Sequence, residues 1–183
     1  MSELPWGGRL GTIVQYAYFV EDIEAAIGEW VERLGVGPWF AIGPFTPATG
    51  RYRGEPTDAV FTIAQAFAGR TIVELVEQHD DAPSVFNELG SRGYGFHHWG
   101  VMTKSFDEEV ARYRAMGYEE AYFDTLPTTG MRVMYLDARR DLPGMIELLE
   151  HTDAQERVYT EYYEAAVGWD GRDPIRRDVT TRG

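Results

Sequence analysis

Residues 72–77 read IVELVE and residues 145–150 read MIELLE, two nearly identical strings with a glutamate, Glu74 and Glu147, at the third position. Each is short, apolar and rich in strand-forming residues, and each closes a longer pattern that occurs twice. In the first copy, GTIVQYAYFV (11–20) is a β-branched and aromatic run with Gln15 at its middle. Asp22 then offers an N-cap, and Ile23, Ile27, Trp30, Val31 and Leu34 recur at helical spacing until Gly35. The runs WFAIGPF (39–45), DAVFTIAQAF (58–67) and TIVELVE (71–77) follow as strands, with a Gly- and Pro-rich loop at 46–56.

The second copy begins with FHHWGVMT (96–103), again strand-like. Ser105 and Glu108 carry a capping-box signature for a helix presenting Phe106, Val110 and Tyr113, which Gly117 ends. Strand-like runs near 119–125, at MRVMYLDA (131–138) and at GMIELLE (144–150) complete it. Gln15 lies seven residues before Asp22, and His98 seven before Ser105; Gly35 and Gly117 follow them by 20 and 19 positions. The spacing predicts an α+β fold of two tandem βαβββ modules, about 10–79 and about 95–151, within one domain spanning 1–183. Residues 80–95 read as a linker. The segment from Asp153 to Gly168 reads as a C-terminal helix packed on the outside, and the last dozen residues as extended or frayed.

Bulk composition narrows the function. The 183 residues are 44% hydrophobic and 26% charged, a balance expected of a chain that folds in water. No apolar run is long enough to span a bilayer, and MSELPWGGRL lacks the basic start and apolar stretch of a signal peptide, so a cytoplasmic protein without membrane contact is expected. A net charge of −13 repels phosphate backbones, which argues against a nucleic-acid partner. With no cysteine, any metal must be held by nitrogen and oxygen ligands.

Gln15, Glu74, His98 and Glu147 each interrupt an apolar strand. A strand glutamate can simply face solvent; facing a core unpaired, it costs free energy. The repeat matches Gln15 with His98 and Glu74 with Glu147, which would bring two neutral donors and two carboxylates to one axis between the modules. A single divalent cation would satisfy all four. His97 competes with His98, but alternation sends the two to opposite faces and only His98 keeps the register of Gln15. His79 and His151 read as surface histidines.

The segments 13–39, 72–77, 96–118 and 145–150 together resemble the vicinal oxygen chelate superfamily, which includes glyoxalase I, methylmalonyl-CoA epimerase, extradiol dioxygenases and bleomycin-resistance proteins. The resemblance implies a glyoxalase-like fold with ligands on the first and last strands of each module, and so metal ligation by Gln15, Glu74, His98 and Glu147. The order Gln, Glu, His, Glu is similar to that of zinc-type glyoxalase I, and the short two-module chain to methylmalonyl-CoA epimerase. Gln15 stands where extradiol dioxygenases need a histidine, which argues against oxygen chemistry.

The expected cofactor is one divalent ion: zinc, nickel, cobalt, manganese or magnesium. Stabilisation of an enolate or enediolate would then serve an isomerase, epimerase or lyase acting on a small oxygenated substrate or thioester. By resemblance to glyoxalase I the base is Glu147, with Glu74 as its partner. Arg51 and Arg53 are candidates for a substrate carboxylate or phosphate, and Tyr16 and Phe19, with Tyr18, Trp39 and Phe61, for an apolar pocket wall; a solvated loop and ordinary core packing are the competing readings. A homodimer is expected. The alternative function is a binding or resistance protein on the same fold.

Overall fold

The structure, a computed structural model, describes residues 3–177 and, within them, the side chains of all but residues 90–92. The first module runs β1 (Ile13–Phe19), α1 (Ile23–Leu34), β2 (Trp39–Phe45), a small hairpin of β3 (Arg51–Tyr52) and β4 (Glu55–Pro56), then β5 (Phe61–Ala68) and β6 (Thr71–Gln78). The second runs β7 (Gly95–Thr103), α2 (Phe106–Ala115), β8 (Glu119–Thr125), β9 (Arg132–Asp137) and β10 (Met145–Glu150). Helix α3 (Asp153–Ala166) and strand β11 (Ile175–Arg177) follow.

The strands form one sheet in the order β11-β2-β5-β6-β1-β7-β10-β9-β8-β3-β4. Its middle is the antiparallel pair β1 and β7, each flanked by the last strand of its own module in parallel, β6 beside β1 and β10 beside β7. The two halves are therefore related by a pseudo-twofold axis through the β1–β7 pair. The hairpin of the first module crosses to the second, where β3 pairs with β8.

Helix starts follow their local chemistry in part. Asp22 caps α1 by accepting from the Ala25 amide at 2.9 Å, and Gly35 ends it in the left-handed conformation, φ 64°. The capping box expected at Ser105 is not made. Ser105 adopts φ −105°, ψ 53°, which is not the extended backbone that aims a hydroxyl at the first-turn amides, and its side chain makes no cap bond.

Alternation along the strands sorts the core between two faces. Val73 and Leu75 pack under α1, and Ile146 and Leu148 under α2, in two separate clusters on the helix-covered face. Ile72, Val76, Met145 and Leu149 belong to a third cluster on the opposite, inner face. Helix α3 is on that inner face and not on the outside: Tyr159 and Tyr162 are buried in its cluster, and Tyr162 stacks on Phe40 with centroids 3.8 Å apart. An amphipathic period shows that a helix must bury one side, but not against which face of a sheet.

The segment expected to be a linker also enters this core. Val85 and Phe86 are buried there, followed by a 3-10 turn (Phe86–Arg92), and Leu4 and Trp6 close the cluster from the N-terminal side. Strand β11 pairs with the β2 edge; the remainder of the tail expected to be extended or frayed, 178–183, lies outside the described residues. Among the described residues no helix is long and apolar enough to cross a membrane.

Candidate functional site

The site grows out of two rows of cross-strand neighbours on the inner face. In one, Gln65 pairs with Glu74, Glu74 with Ala17, and Ala17 with His98, across β5, β6, β1 and β7. In the other, Gln15 pairs with Gly100, Gly100 with Glu147, and Glu147 with Tyr135, across β1, β7, β10 and β9. The rows are pseudo-symmetric, with a small residue, Ala17 or Gly100, between the polar ones. A Cβ on Gly100 would lie 2.8 Å from the Gln15 Cβ and 3.1 Å from Leu149 Cδ1, so Gln15 occupies space that glycine leaves open.

The four matched residues meet. His98 Nε2 is 3.5 Å from Glu74 Oε1 and 3.2 Å from Glu147 Oε2; Gln15 Nε2 is 3.4 Å from His98 Nε2 and donates to Glu147 Oε2 at 3.0 Å. All four are buried, Gln15 and His98 at 0% exposure, Glu74 at 5% and Glu147 at 4%. The acids are therefore not the solvent-facing strand glutamates of the simpler reading. Gln65 donates to Glu74 Oε2 at 2.7 Å, and the Tyr135 hydroxyl hydrogen-bonds Glu147. Tyr159 of α3 approaches from above, 3.5 Å from Gln65 Nε2.

Two buried carboxyls this close perturb one another. Burial, and then the charge of Glu147, push the Glu74 carboxyl up to about 7, against the opposing pull of His98 and the Gln65 bond. Burial is also the main reason that Tyr135 and Tyr159 are held well above the usual phenol range, with both glutamates adding to it. These tyrosines stay neutral and can only donate or accept hydrogen bonds.

His97 does not point away from His98. The pairing passes from Ala17–His98 to Tyr18–Phe96, so His97 is the extra residue of a β-bulge. The bulge cancels alternation at this one step and sets His97 Nδ1 2.9 Å from His98 Nδ1. The Phe86 ring lies 4.5 Å from His97, and burial with the adjacent His98 lowers the His97 imidazole to about 3.

The other candidates are placed elsewhere. Arg53 pairs with Glu88 and Asp137, each at 2.7 Å, and Arg51 is exposed with its guanidinium donating to the Gly54 carbonyl. Tyr16 is 38% exposed, one residue out of phase with the inward Gln15; Phe19 is on the inner face, stacked on Phe86. Tyr18 and Trp39 pack in the cluster under α1, whereas Phe61 is in the inner core. His151 is packed against Glu156 at 2.6 Å, and His79 bonds Thr62 at 2.7 Å. Gln65 and Tyr135 escaped the sequence reading, although the same signal was present: each interrupts an apolar strand, and each is the cross-strand partner of a matched glutamate.

A divalent ion holds cis ligands about 3 Å apart when its bonds are about 2.1 Å, and the contacts among the four residues span 3.0–3.5 Å. One imidazole, two carboxylates and, with its amide turned, the Gln15 oxygen make a donor set suited to zinc, nickel, cobalt, manganese or magnesium. Among the described residues no three His, Cys, Asp or Glu stand at the spacing of a formed metal cage; hydrogen bonds hold these donors together instead.

The glyoxalase/bleomycin resistance protein/dioxygenase superfamily model matches residues 14–135. No curated protein matches the chain. Among solved structures, methylmalonyl-CoA epimerase from Mycobacterium tuberculosis is similar with a TM-score of 0.54 at 15% identity, covering 79% of this chain and 91% of its own. A Streptomyces coelicolor methylmalonyl-CoA epimerase variant in complex with 2-nitronate-propionyl-CoA gives 0.54 at 17%, covering 80% and 98%, and a hypothetical protein from Bacillus halodurans 0.53 at 16%, covering 78% and 95%. At these identities the likeness is one of fold. With two thirds of its length matched by the family model and the paired modules that the fold requires, the chain belongs to the glyoxalase/bleomycin resistance protein/dioxygenase superfamily.

Proposed function

We propose that the protein is a metal-dependent isomerase, epimerase or lyase that removes a proton next to a carbonyl in a small oxygenated substrate or acyl thioester. The observation that carries this reading is the meeting of Gln15, Glu74, His98 and Glu147 from both modules in a buried cluster. Two acids are brought to one imidazole, and among the described residues no lysine or arginine pairs with either acid, an arrangement that a divalent cation would stabilise.

When bound, a divalent ion would supply Lewis acidity toward the oxygens of the substrate. The residues supply the rest. Glu147 takes the α-proton, and Glu74, its pseudo-symmetric partner, receives or returns one on the other side of the axis. Tyr135 and Gln65 orient the two acids through their hydrogen bonds, and the inner aromatic cluster excludes water. Thioesters enter the substrate class because the similar epimerase is in complex with a CoA ester analogue. Homodimerisation and cytoplasmic residence remain part of the proposal, and the pseudo-twofold arrangement of the modules is compatible with the first.

The second reading is a binding or resistance protein on the same fold, and for either one the filling of the inner face matters. Tyr159, Tyr162, Phe86 and Trp6 fill the inner face beside the acids. Catalysis therefore requires α3, which carries the first two, to move aside. Solvent deuterium incorporation into acyl-CoA esters and hydroxyketones tests the enzyme reading. Metal-dependent exchange supports it; tight ligands that never exchange, rearrange or cleave would replace it with the binding protein.

A further inference from the structure

We propose that His97 is a positioning residue that fixes the proton arrangement of His98 and turns the His98 Nε2 lone pair into the acidic cluster; this rests on the proposed role of His98 as a metal ligand. Both first strands carry a bulge immediately before their inward polar residue. In β1 the extra residue is Val14, where pairing passes from Ile13–Val101 to Gln15–Gly100, and in β7 it is His97. Both extra residues are buried against the inner core, Val14 at 2% exposure and His97 at 1%. The first module thus fills this position with an apolar side chain and the second with an imidazole.

The hydrogen bonds of that imidazole permit one arrangement. His97 Nε2 lies 3.1 Å from the Val85 carbonyl oxygen, which can only accept, so Nε2 carries the proton. A buried imidazole bonded only to a carbonyl and a second imidazole is neutral, and its Nδ1 is then an acceptor. Its neighbour at 2.9 Å is His98 Nδ1, which must donate. The opposite nitrogen, His98 Nε2, faces Glu74, Glu147 and Gln15. The rings are clamped: Tyr135 lies edge-on to both, 5.9 Å from His97 and 4.7 Å from His98, and Phe86 covers His97. A ligating imidazole commonly needs such an outer acceptor to set its tautomer and ring orientation. Here the acceptor is another histidine, and the chain ends on a carbonyl of the segment joining the modules.

The test combines two readouts on the full chain. In metal-free protein with isotopically labelled histidine, nuclear magnetic resonance should find protons on His98 Nδ1 and His97 Nε2 and none on His97 Nδ1. His97→Asn keeps an acceptor at the δ position and should hold zinc within about threefold of wild type, whereas His97→Phe should weaken zinc by roughly 10- to 100-fold and free the His98 Nδ1 proton to exchange. A proton on His97 Nδ1 in the wild type, or unchanged zinc affinity and His98 protonation in His97→Phe, would overturn the proposal. If the wild type takes no zinc, the ligand role of His98 fails, while the proton positions still decide whether the relay exists. If His97→Phe does not fold, the wild-type proton positions and His97→Asn decide it.

Discussion

Gly100→Ala should damage the protein although it adds one methyl group. Gly100 lies between Gln15 and Glu147 in the cross-strand row, and the added Cβ would lie 2.8 Å from the Gln15 Cβ, 3.1 Å from Leu149 Cδ1 and 3.4 Å from the Gln15 Cδ. Carbon atoms in contact prefer about 3.5–4.0 Å. The nearest atom is a Cβ fixed to the backbone of β1, so relief requires β1 to shift against β7 and carries Gln15 away from His98 and Glu147. Overpacking of this kind costs about 1–3 kcal/mol, or about 2–12 °C in Tm for a chain of this size. Gly28 is the control: it is inside α1 with nothing within 4 Å of an added Cβ, so Gly28→Ala should stabilise by about 0.5–1 kcal/mol. Urea unfolding with zinc titration measures both. Unfolding of Gly100→Ala within about 0.5 kcal/mol of wild type, with equal zinc binding, would show that β1 and β7 accommodate the added methyl without displacing Gln15.

Three further outcomes follow from the site. Glu147→Gln should cost turnover on the order of 10² or more with little effect on substrate binding, and Glu74→Gln less; a larger loss in Glu74→Gln would transfer the base role to it. Glu74 is protonated up to about 7 in the folded state and up to about 4.5 in the unfolded one, so between these values the folded state binds more protons. Its contribution to stability is complete below about 4.5 and is lost as pH rises through 7, so metal-free protein should lose stability from pH 5 to pH 8 by more than Glu74→Gln does; equal losses in urea unfolding would reject this. Tyr162→Ala removes the ring stacked on Phe40 at 3.8 Å, so α3 should open more often and zinc uptake in stopped flow should accelerate; unchanged uptake would show that entry does not depend on α3.

The sequence reading succeeded where one local rule acts alone. Asp22 and Gly35 bound α1, period-2 runs mark the strands, and the IVELVE and MIELLE strings place Glu74 and Glu147 at equivalent positions. It failed where tertiary pairing decides. The bulge at His97 depends on how β1 and β7 register, which neither strand encodes by itself, and it reverses the direction that alternation assigns to that histidine. The position of α3 depends on which sheet face is left uncovered once α1 and α2 have docked, and Val85 and Phe86 fill a core that exists only after both modules meet. Arg53, a loop arginine that is a candidate substrate anchor with a solvated loop as the competing reading, pairs with Glu88 and Asp137, 35 and 84 residues away in the chain, contacts that no local pattern indicates.

Elemental analysis of protein purified without chelator, paired with thermal unfolding in added metal, is the most direct test of the buried cluster as a metal centre. About one divalent ion per chain is expected, or a metal-free chain whose Tm rises on adding zinc, nickel, cobalt or manganese, with linkage adding about 2.7 kcal/mol of stability at 100-fold excess over Kd. Metal below about a tenth of an equivalent, with no stabilisation by any of these ions, would contradict it.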